Sequence, residues 1–470
     1  MNAQENNHWQ LGSNGLGMHF NGENTPDLSL DGYTPYGWSG CGVLNNQFAG
    51  NLVFYTDGQK IIDRTHQIMP NGDNLIGGNS THGTGKICAR IGYPGQYYVF
   101  SIETATESSS IESLYYSIVD TTLAGNGTSE DPLGDILEGE KNIWLHGNVS
   151  ESLELIKGEE GQIWLLNPRF YESIMDVFLI DSTGINLHSS FDFGVSMIDV
   201  QAIRYSSSSH KLALGSFGEN DPILIFDFDH ISGELSNPTE VPGSFGNSSN
   251  QYAGVIDLEW SPDGSKLYIS KYRGNTPLSG GKLFQYDLEN PNLDAFLLYQ
   301  VSSTNTHVAK GLRLGPDGNI YWLYVNPETG STDHIAAILN PNEVGSDCNL
   351  DLEFIESSIN LNYTNLFPNS AVEYKSEITQ NVDQLQSATP LMLIFPQPSR
   401  DFITIKLTSI PDNSDSKYSI TNASGNLVAQ SKFGIQHNQF TIDISPFASG
   451  LYTLTVFSGN IQVSGKFIKN

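Results

Sequence analysis

Basic residues are scarce in this chain. Its 470 residues include 22 Lys and Arg against 52 Asp and Glu, a formal net charge of -30. Such a surface repels phosphate backbones and anionic lipid, which excludes nucleic acid as a partner. Cysteine is scarcer still. Cys41, Cys88 and Cys348 are an odd number with no CxxC spacing, so neither a disulfide framework nor a zinc or redox motif is present. A bridge between Cys41 and Cys88 stays open beside the plainer reading of buried, small apolar side chains. No apolar run approaches the roughly 18 residues that cross a bilayer, so no membrane span is expected. Met1 to Gln10 has neither a basic nor an apolar segment, and Asn2-Ala3-Gln4 is compatible with the remnant of a signal-peptide cleavage site.

Motifs of catalysis are missing as well. The eleven His residues form no HExxH or His-x-His arrangement. No Gly-x-Ser-x-Gly elbow occurs, which argues against an α/β-hydrolase. Ser80 to Lys86 superficially resembles a phosphate loop, but Ser80 stands where Gly is required and Ile87 where Ser or Thr should follow. The expected cofactor set is therefore empty, with calcium left open in acidic loops such as Glu130 to Asp135.

What the chain does contain is turn residues, 46 Gly and 21 Pro, and a repeat of paired short strands. A turn leads into an aromatic strand at Gly50 to Tyr55, Gly95 to Phe100, Gly161 to Leu166, Gly264 to Ile269 and Gly318 to Leu323, with a weaker copy at His210 to Leu214. A second apolar strand then ends in Asp63, Asp120, Asp181, Asp229, Asp287 or Asn340, 48 to 61 residues apart. A residue that recurs once per repeat at a strand end reads as a turn residue rather than a catalytic one. Repeats of this length with several strands predict β-propeller blades. Six copies are visible directly. His8 to Leu11 and Leu16 to Asn21 supply a seventh if Phe367 to Tyr374 adds its innermost strand, so the expected fold over residues 1–375 is a closed seven-bladed ring, with six blades as the alternative.

Trp9, Gly12 and Gly15, the run Gly50 to Gly58, His66 to Gly72, and Phe226 to Asp229 with Ser232-Gly233 make residues 8–375 resemble a family of secreted propellers from gliding and surface-colonising Bacteroidetes. That resemblance implies architecture and secretion, and brings no established reaction.

Residues 376–390 turn polar and read as a linker. Residues 391–470 carry six basic and four acidic residues, so the acidity belongs to the ring. Short alternating strands there, separated by turn residues, predict a small Ig-like β-sandwich. The segment resembles the C-terminal sorting domain of the type IX secretion system. Phe395, Pro396, Pro398, Asp401, Gly425, Gly450, Tyr452, Lys466 and Lys469 carry the likeness, while Gln397 departs from the family's usual Asn. The resemblance implies the type IX machinery as a partner through residues 391–470, and a secreted or outer-membrane-surface protein of a Gram-negative bacterium.

For the ring, the expectation is a non-enzymatic module presenting loops to an extracellular glycan or protein, for adhesion or assembly. Tyr33, Tyr36 and Trp38 are candidate ligand-loop residues, with packing beneath a long loop as the plainer reading. The alternative is a polysaccharide hydrolase or lyase with carboxylates in the channel.

Overall fold

The computed structural model describes residues 7–469 apart from 12–14, 23–24, 31, 34–41, 46–50, 79–84, 104–111, 160, 198, 217, 219–220, 244–253, 273–279, 302–307, 358–360, 362–365, 374–391, 396–398, 408–416, 423–425, 433–438 and 459–460. The chain divides into two compact units, residues 1–375 and 376–470.

In the first unit the paired strands of the repeat are antiparallel neighbours, for example Gln96–Ile102 with Ser113–Asp120 and Ile163–Pro168 with Ile174–Asp181. The turn chemistry does what the residue types demand. Gly95, Gly161, Gly264 and Gly318 open the aromatic strands with φ between 72° and 87°, which only glycine adopts without strain. The recurring Asp closes the next hairpin: Asp63, Asp120 and Asp181 each accept from the backbone N–H and hydroxyl of the Thr two residues on, at 2.6 to 2.9 Å. Asp229 and Asp287 accept from the N–H groups of Ile231 and Glu289 in the same way.

In most sheets two further strands flank the pair. Sheets four to seven each have four strands: Glu154–Lys157 through Gly184–Asp192, Val200–Ser206 through Glu234–Glu240, Val255–Trp260 through Phe296–Gln300, and Ala309–Leu314 through Leu350–Glu356. Their first strands are mostly buried and their last largely exposed, so the first strands line the axis. The third sheet, beginning with Ile87–Ala89, gains a fifth strand, Ile143–Gly147. The first sheet has three strands, His8–Gln10, Leu16–His19 and Asp27–Leu30. The second is built on Gly42–Asn45, Leu52–Thr56 and Ile61–Asp63. The described residues of this unit thus form seven sheets.

Each sheet packs on the next. Phe54 and Ile61 meet Ile87 and Val99, Phe100 and Ile118 meet Leu155 and Phe178, and Trp164 and Val177 meet Leu212 and Phe226. Ala213 and Ile225 meet Leu258 and Leu267, and Tyr268 and Leu283 meet Leu312 and Trp322. The last sheet then meets the first: Trp9, Leu16 and Met18 share a core with Tyr321, Leu323 and Ile335. Asn45 Nδ2 donates to the His8 carbonyl at 2.9 Å and ties the first sheet to the second. Sheets packed face to face in a circle are a β-propeller.

The closure differs from the sequence expectation. Asn369–Ser370 does not join the N-terminal sheet but pairs in parallel with Gly42–Asn45 in the second sheet, and Val372 bridges Cys88 in the third. Phe367 explains the change: its ring packs on Trp9 with centroids 5.4 Å apart, so it covers the N-terminal sheet as a core side chain, and Pro368 has no N–H for a ladder there. Cys88 and Cys348 are buried free thiols, and Cys41 lies outside the described residues.

One buried charge holds the fourth sheet together. Asp176 has no exposed side-chain area and accepts from Arg169 Nε and Nη2 at 2.7 and 3.0 Å, from Ser190 Oγ at 2.5 Å and from His146 at 2.9 Å. Burial alone would raise its pKa, but these hydrogen bonds outweigh it and hold the carboxyl well below the usual range. Its stabilisation is therefore complete above the ordinary Asp value of about 3.9 and is lost as pH falls below it. Asp176→Ala should cost about 2–3 kcal/mol, because it removes the buried acceptor shared by Arg169, Ser190 and His146 and leaves Arg169 with Glu172 alone. Denaturant unfolding at pH 7 and pH 3 tests this: the gap between wild type and variant should shrink at pH 3.

The second unit has seven strands in two sheets, Met392–Phe395, Phe402–Leu407 and Gln439–Asp443 in one, and Leu427–Lys432, Lys417–Asn422, Gly450–Ser458 and Ile461–Lys469 in the other. Ile403, Ile405, Ile420, Ile442, Leu454, Val456 and Phe467 fill its core. This is the expected sandwich, with Met392–Phe395 and Leu427–Lys432 as strands that the sequence reading did not single out.

Candidate functional site

The innermost strands carry charge where a core would carry apolar side chains. Along a strand alternate residues share a face, so Asp257 and Glu259 both point at the axis while Leu258 and Trp260 pack between sheets. Around the axis these charges form a chain. Lys86 Nζ, just before the third sheet's first strand, meets Glu154 of the fourth at 2.8 Å. Arg204 of the fifth lies 3.8 Å from Glu154 and donates to Asp257 of the sixth at 2.8 Å. Glu259 of the sixth lies 3.9 Å from both Arg204 and Arg313, and Arg313 Nη2 donates to Asn369 of the closing segment at 3.0 Å.

The carboxylates also replace the backbone ladder that fanned strands cannot make. Asp257 Oδ2 accepts from Leu312 N–H at 3.0 Å and Glu259 Oε2 from Leu314 N–H at 3.2 Å. Burial shifts the charges. It pushes Lys86 down to about 8 against the pull of Glu154, raises Glu259 against the pull of Arg313 and Arg204, and lowers Arg313. Lys310, on the seventh sheet's first strand, is pushed down to about 7 by burial. The chain of charges walls a cavity of about 180 Å³ that reaches the turns at Ser206 to Ser208 and Ser261-Pro262.

At the start of the fourth and fifth sheets' first strands a second acidic group forms. Gln201 Nε2 donates to Glu151 and Asp199, 3.1 Å from each. Burial, Asp199 and Glu112 push Glu151 well up, and burial raises Asp199.

Tyr33 is half-buried, its N–H donates to Tyr55 Oη at 2.7 Å, and it packs on Val43 and Ile62. Tyr36 and Trp38 lie outside the described residues. Trp144 and Tyr171, not singled out by sequence, are 59% and 60% exposed, the largest accessible aromatic surfaces among the described residues. In the acidic loop proposed for calcium, Asp131 pairs with Arg64 and Asp135 accepts from Asn71 at 2.9 and 2.7 Å. No group of three or more His, Cys, Asp or Glu that could hold a metal occurs among the described residues.

In the sandwich, Gly450 and Lys469 are paired across the last two strands, Lys466 opposes Thr453, and Tyr452 opposes Phe467 with rings stacked at 5.4 Å. Tyr452 Oη donates to the Ala448 carbonyl at 2.7 Å. Asp401 is exposed, its carbonyl accepting from Ile444 N–H, and Phe395 pairs with Thr404. Pro396, Pro398 and Gly425 lie outside the described residues. Residues 393–470 match the secretion system C-terminal sorting domain. The C-terminal sandwich is a type IX sorting domain. It marks the protein for export to the outer surface or the medium, and no helix among the described residues is long and apolar enough to cross a membrane.

No curated protein matches the chain. Among solved structures, a putative 6-phosphogluconolactonase from Bacteroides fragilis is similar at 13% identity and TM-score 0.44, covering 78% of this chain and 98% of that one. A periplasmic gluconolactonase from Pseudomonas aeruginosa is similar at 11% identity and TM-score 0.37, covering 79% and 98%. The Dos1 propeller is similar at 8% identity and TM-score 0.33, covering 77% and 87%. Likeness this distant carries no argument about chemistry.

Proposed function

We propose that the sorting domain delivers a non-enzymatic binding propeller, which engages a glycan or protein outside the cell for adhesion or assembly. The observation that supports this reading is that the channel carboxylates are already committed. Glu154, Asp257 and Glu259 are engaged by Lys86, Arg204, Arg313 and the N–H groups of Leu312 and Leu314. A glycosidase needs two carboxyl groups pushed apart in pKa, one acid and one base. Glu151 and Asp199 instead move in the same direction.

The ligand surface we propose is the loop-bearing face, where aromatic side chains have area to give. Full-length protein on a glycan and protein array should bind at least one ligand and leave it chemically intact. Trp144→Ala combined with Tyr171→Ala, or Tyr36→Ala with Trp38→Ala, should weaken that binding by about tenfold or more. Product release from a bound glycan would favour the hydrolase or lyase instead.

A further inference from the structure

The turn between the fourth sheet's middle strands, Ile163–Pro168 and Ile174–Asp181, holds a residue in a backbone conformation that does not suit it. Eight described residues other than glycine have positive φ: five are Asn, two are His, and the eighth is Tyr171 at 56°. Short polar side chains tolerate this left-handed region, whereas a bulky one is strained there. Packing offers Tyr171 little in return. It is 60% exposed, its ring meets Phe170 edge-on with centroids 4.5 Å apart, and its Oη has no hydrogen-bond partner among the described residues.

Trp144 is linked to this turn through Asn148. It lies on Ile143–Gly147, the fifth strand of the third sheet, directly opposite Tyr115, and is 59% exposed. Its Nε1–H also has no acceptor among the described residues. A Cβ at Gly147 would lie 3.8 Å from Trp144 Cζ2, so the indole leans toward that glycine. The next residue reaches the turn: the Asn148 carbonyl accepts from Phe170 N–H at 3.3 Å, and Asn148 Nδ2 donates to Glu172 Oε1 at 2.6 Å. Glu172 also accepts from Arg169 Nη1 at 3.3 Å, and Arg169 Nε donates to Asp176 at 2.7 Å. Two exposed aromatic residues are thus joined by planar polar groups that already hold one another in place.

We propose that Trp144 and Tyr171, with Asn148 and Glu172, bind a neutral glycan. The inference rests on the reading of the ring as a binding module, and names the ligand class and the residues that recognise it. A pyranose is apolar across its C–H faces and polar around its rim. Its faces lie on the two aromatic rings, while its hydroxyls meet the amide of Asn148, the carboxylate of Glu172 and the free Nε1–H and Oη groups. Charge selects a neutral sugar. Arg169 is outnumbered by Asp176 and Glu172, in a chain of formal net charge -30, so a polyuronate is repelled.

Calorimetric titration of the full-length protein with cellohexaose, xylohexaose, mannohexaose, chitohexaose and polygalacturonate tests this. At least one neutral hexasaccharide should bind, and polygalacturonate about tenfold more weakly or not at all. Tyr171→Asn is the deciding variant. It should weaken the bound hexasaccharide about tenfold while the melting temperature stays the same or rises, because Asn suits the left-handed backbone. A residue kept only for packing would give the reverse, a lower melting temperature and unchanged binding. Trp144→Ala should weaken binding to a similar degree, whereas Phe296→Ser, which removes a ring 52% exposed on the sixth sheet, should leave it unchanged. No binding of any neutral hexasaccharide, equal binding by Tyr171→Asn, or tighter binding of polygalacturonate would overturn the proposal. If a protein ligand binds on the array and no hexasaccharide does, the glycan site fails while the binding module stands. If a hexasaccharide is cleaved rather than held, the module reading itself fails.

Discussion

A chain ending at Pro390, given a signal peptide in a host with type IX export, should remain folded in the periplasm while the full-length chain reaches the surface or medium. The sandwich has its own core and its own seven strands, and the ring has its own, so each unit has the means to fold by itself. Circular dichroism and melting of the truncated chain should match those of the intact ring within the contribution of the lost domain. Export should nevertheless fall to background. We propose that the hairpin pairing Gly450 with Lys469, with exposed Lys466 beside it, forms part of the surface read by the machinery. A fluorescent protein carrying a signal peptide and residues 376–470 should therefore be exported. Normal release of the truncated chain, or full-length export in a strain lacking the type IX channel, would show that the tail is not the address.

The second large effect concerns ring closure. Removing residues 1–20 strips Trp9, Leu11, Leu16, Met18 and Phe20 from the core they share with Tyr321, Leu323 and Phe367. It also leaves the first sheet without its first two strands and opens edges that the circle otherwise hides. The lost burial, at ~1.5–3 kcal/mol per large side chain, is comparable with the whole stability of an ordinary domain, so no cooperative melting of the ring should remain. Trp9→Ala is the milder test. It should cost about 3–5 kcal/mol, because the fully buried indole packs edge-on to Phe20 and Tyr321 and its loss leaves a cavity in the core they share. An unchanged transition after the deletion would mean that the N-terminal sheet does not close the circle.

The middle two strands of each repeat were legible because their signals are local. A turn glycine, an aromatic run and a strand-end Asp that caps its own hairpin are readable without knowing the neighbours. The outer strands were not. Gly184–Asp192 and Glu234–Glu240 are mostly exposed and polar, so nothing in their pattern separates them from loop. The inner strands escaped for the opposite reason: they are buried, but Arg204, Asp257, Glu259 and Arg313 break their apolar runs because the axis-facing positions satisfy one another across sheets. That mutual satisfaction is a property of the circle, invisible one repeat at a time. The same holds for the closing segment, where hydrophobicity alone suggested a strand and Phe367 proved to be a core side chain beside a proline.

The segment after Phe367 also sets how this molecule carries load. Ala371 and Val372 donate to the Val43 and Ile87 carbonyls, Ala89 donates to Val372, and Asn369 holds Arg313. Tension applied from the sorting domain, by a translocating machine or by an anchor at the surface, enters the ring through these bonds. These bonds tie the segment to the second, third and seventh sheets, so no single strand edge carries the load. Phe367, at the head of this segment, packs on Trp9, so a pull on the tail reaches the contact that closes the circle only after these bonds have yielded. A cut anywhere beyond residue 375 removes the tether and leaves the clasp intact.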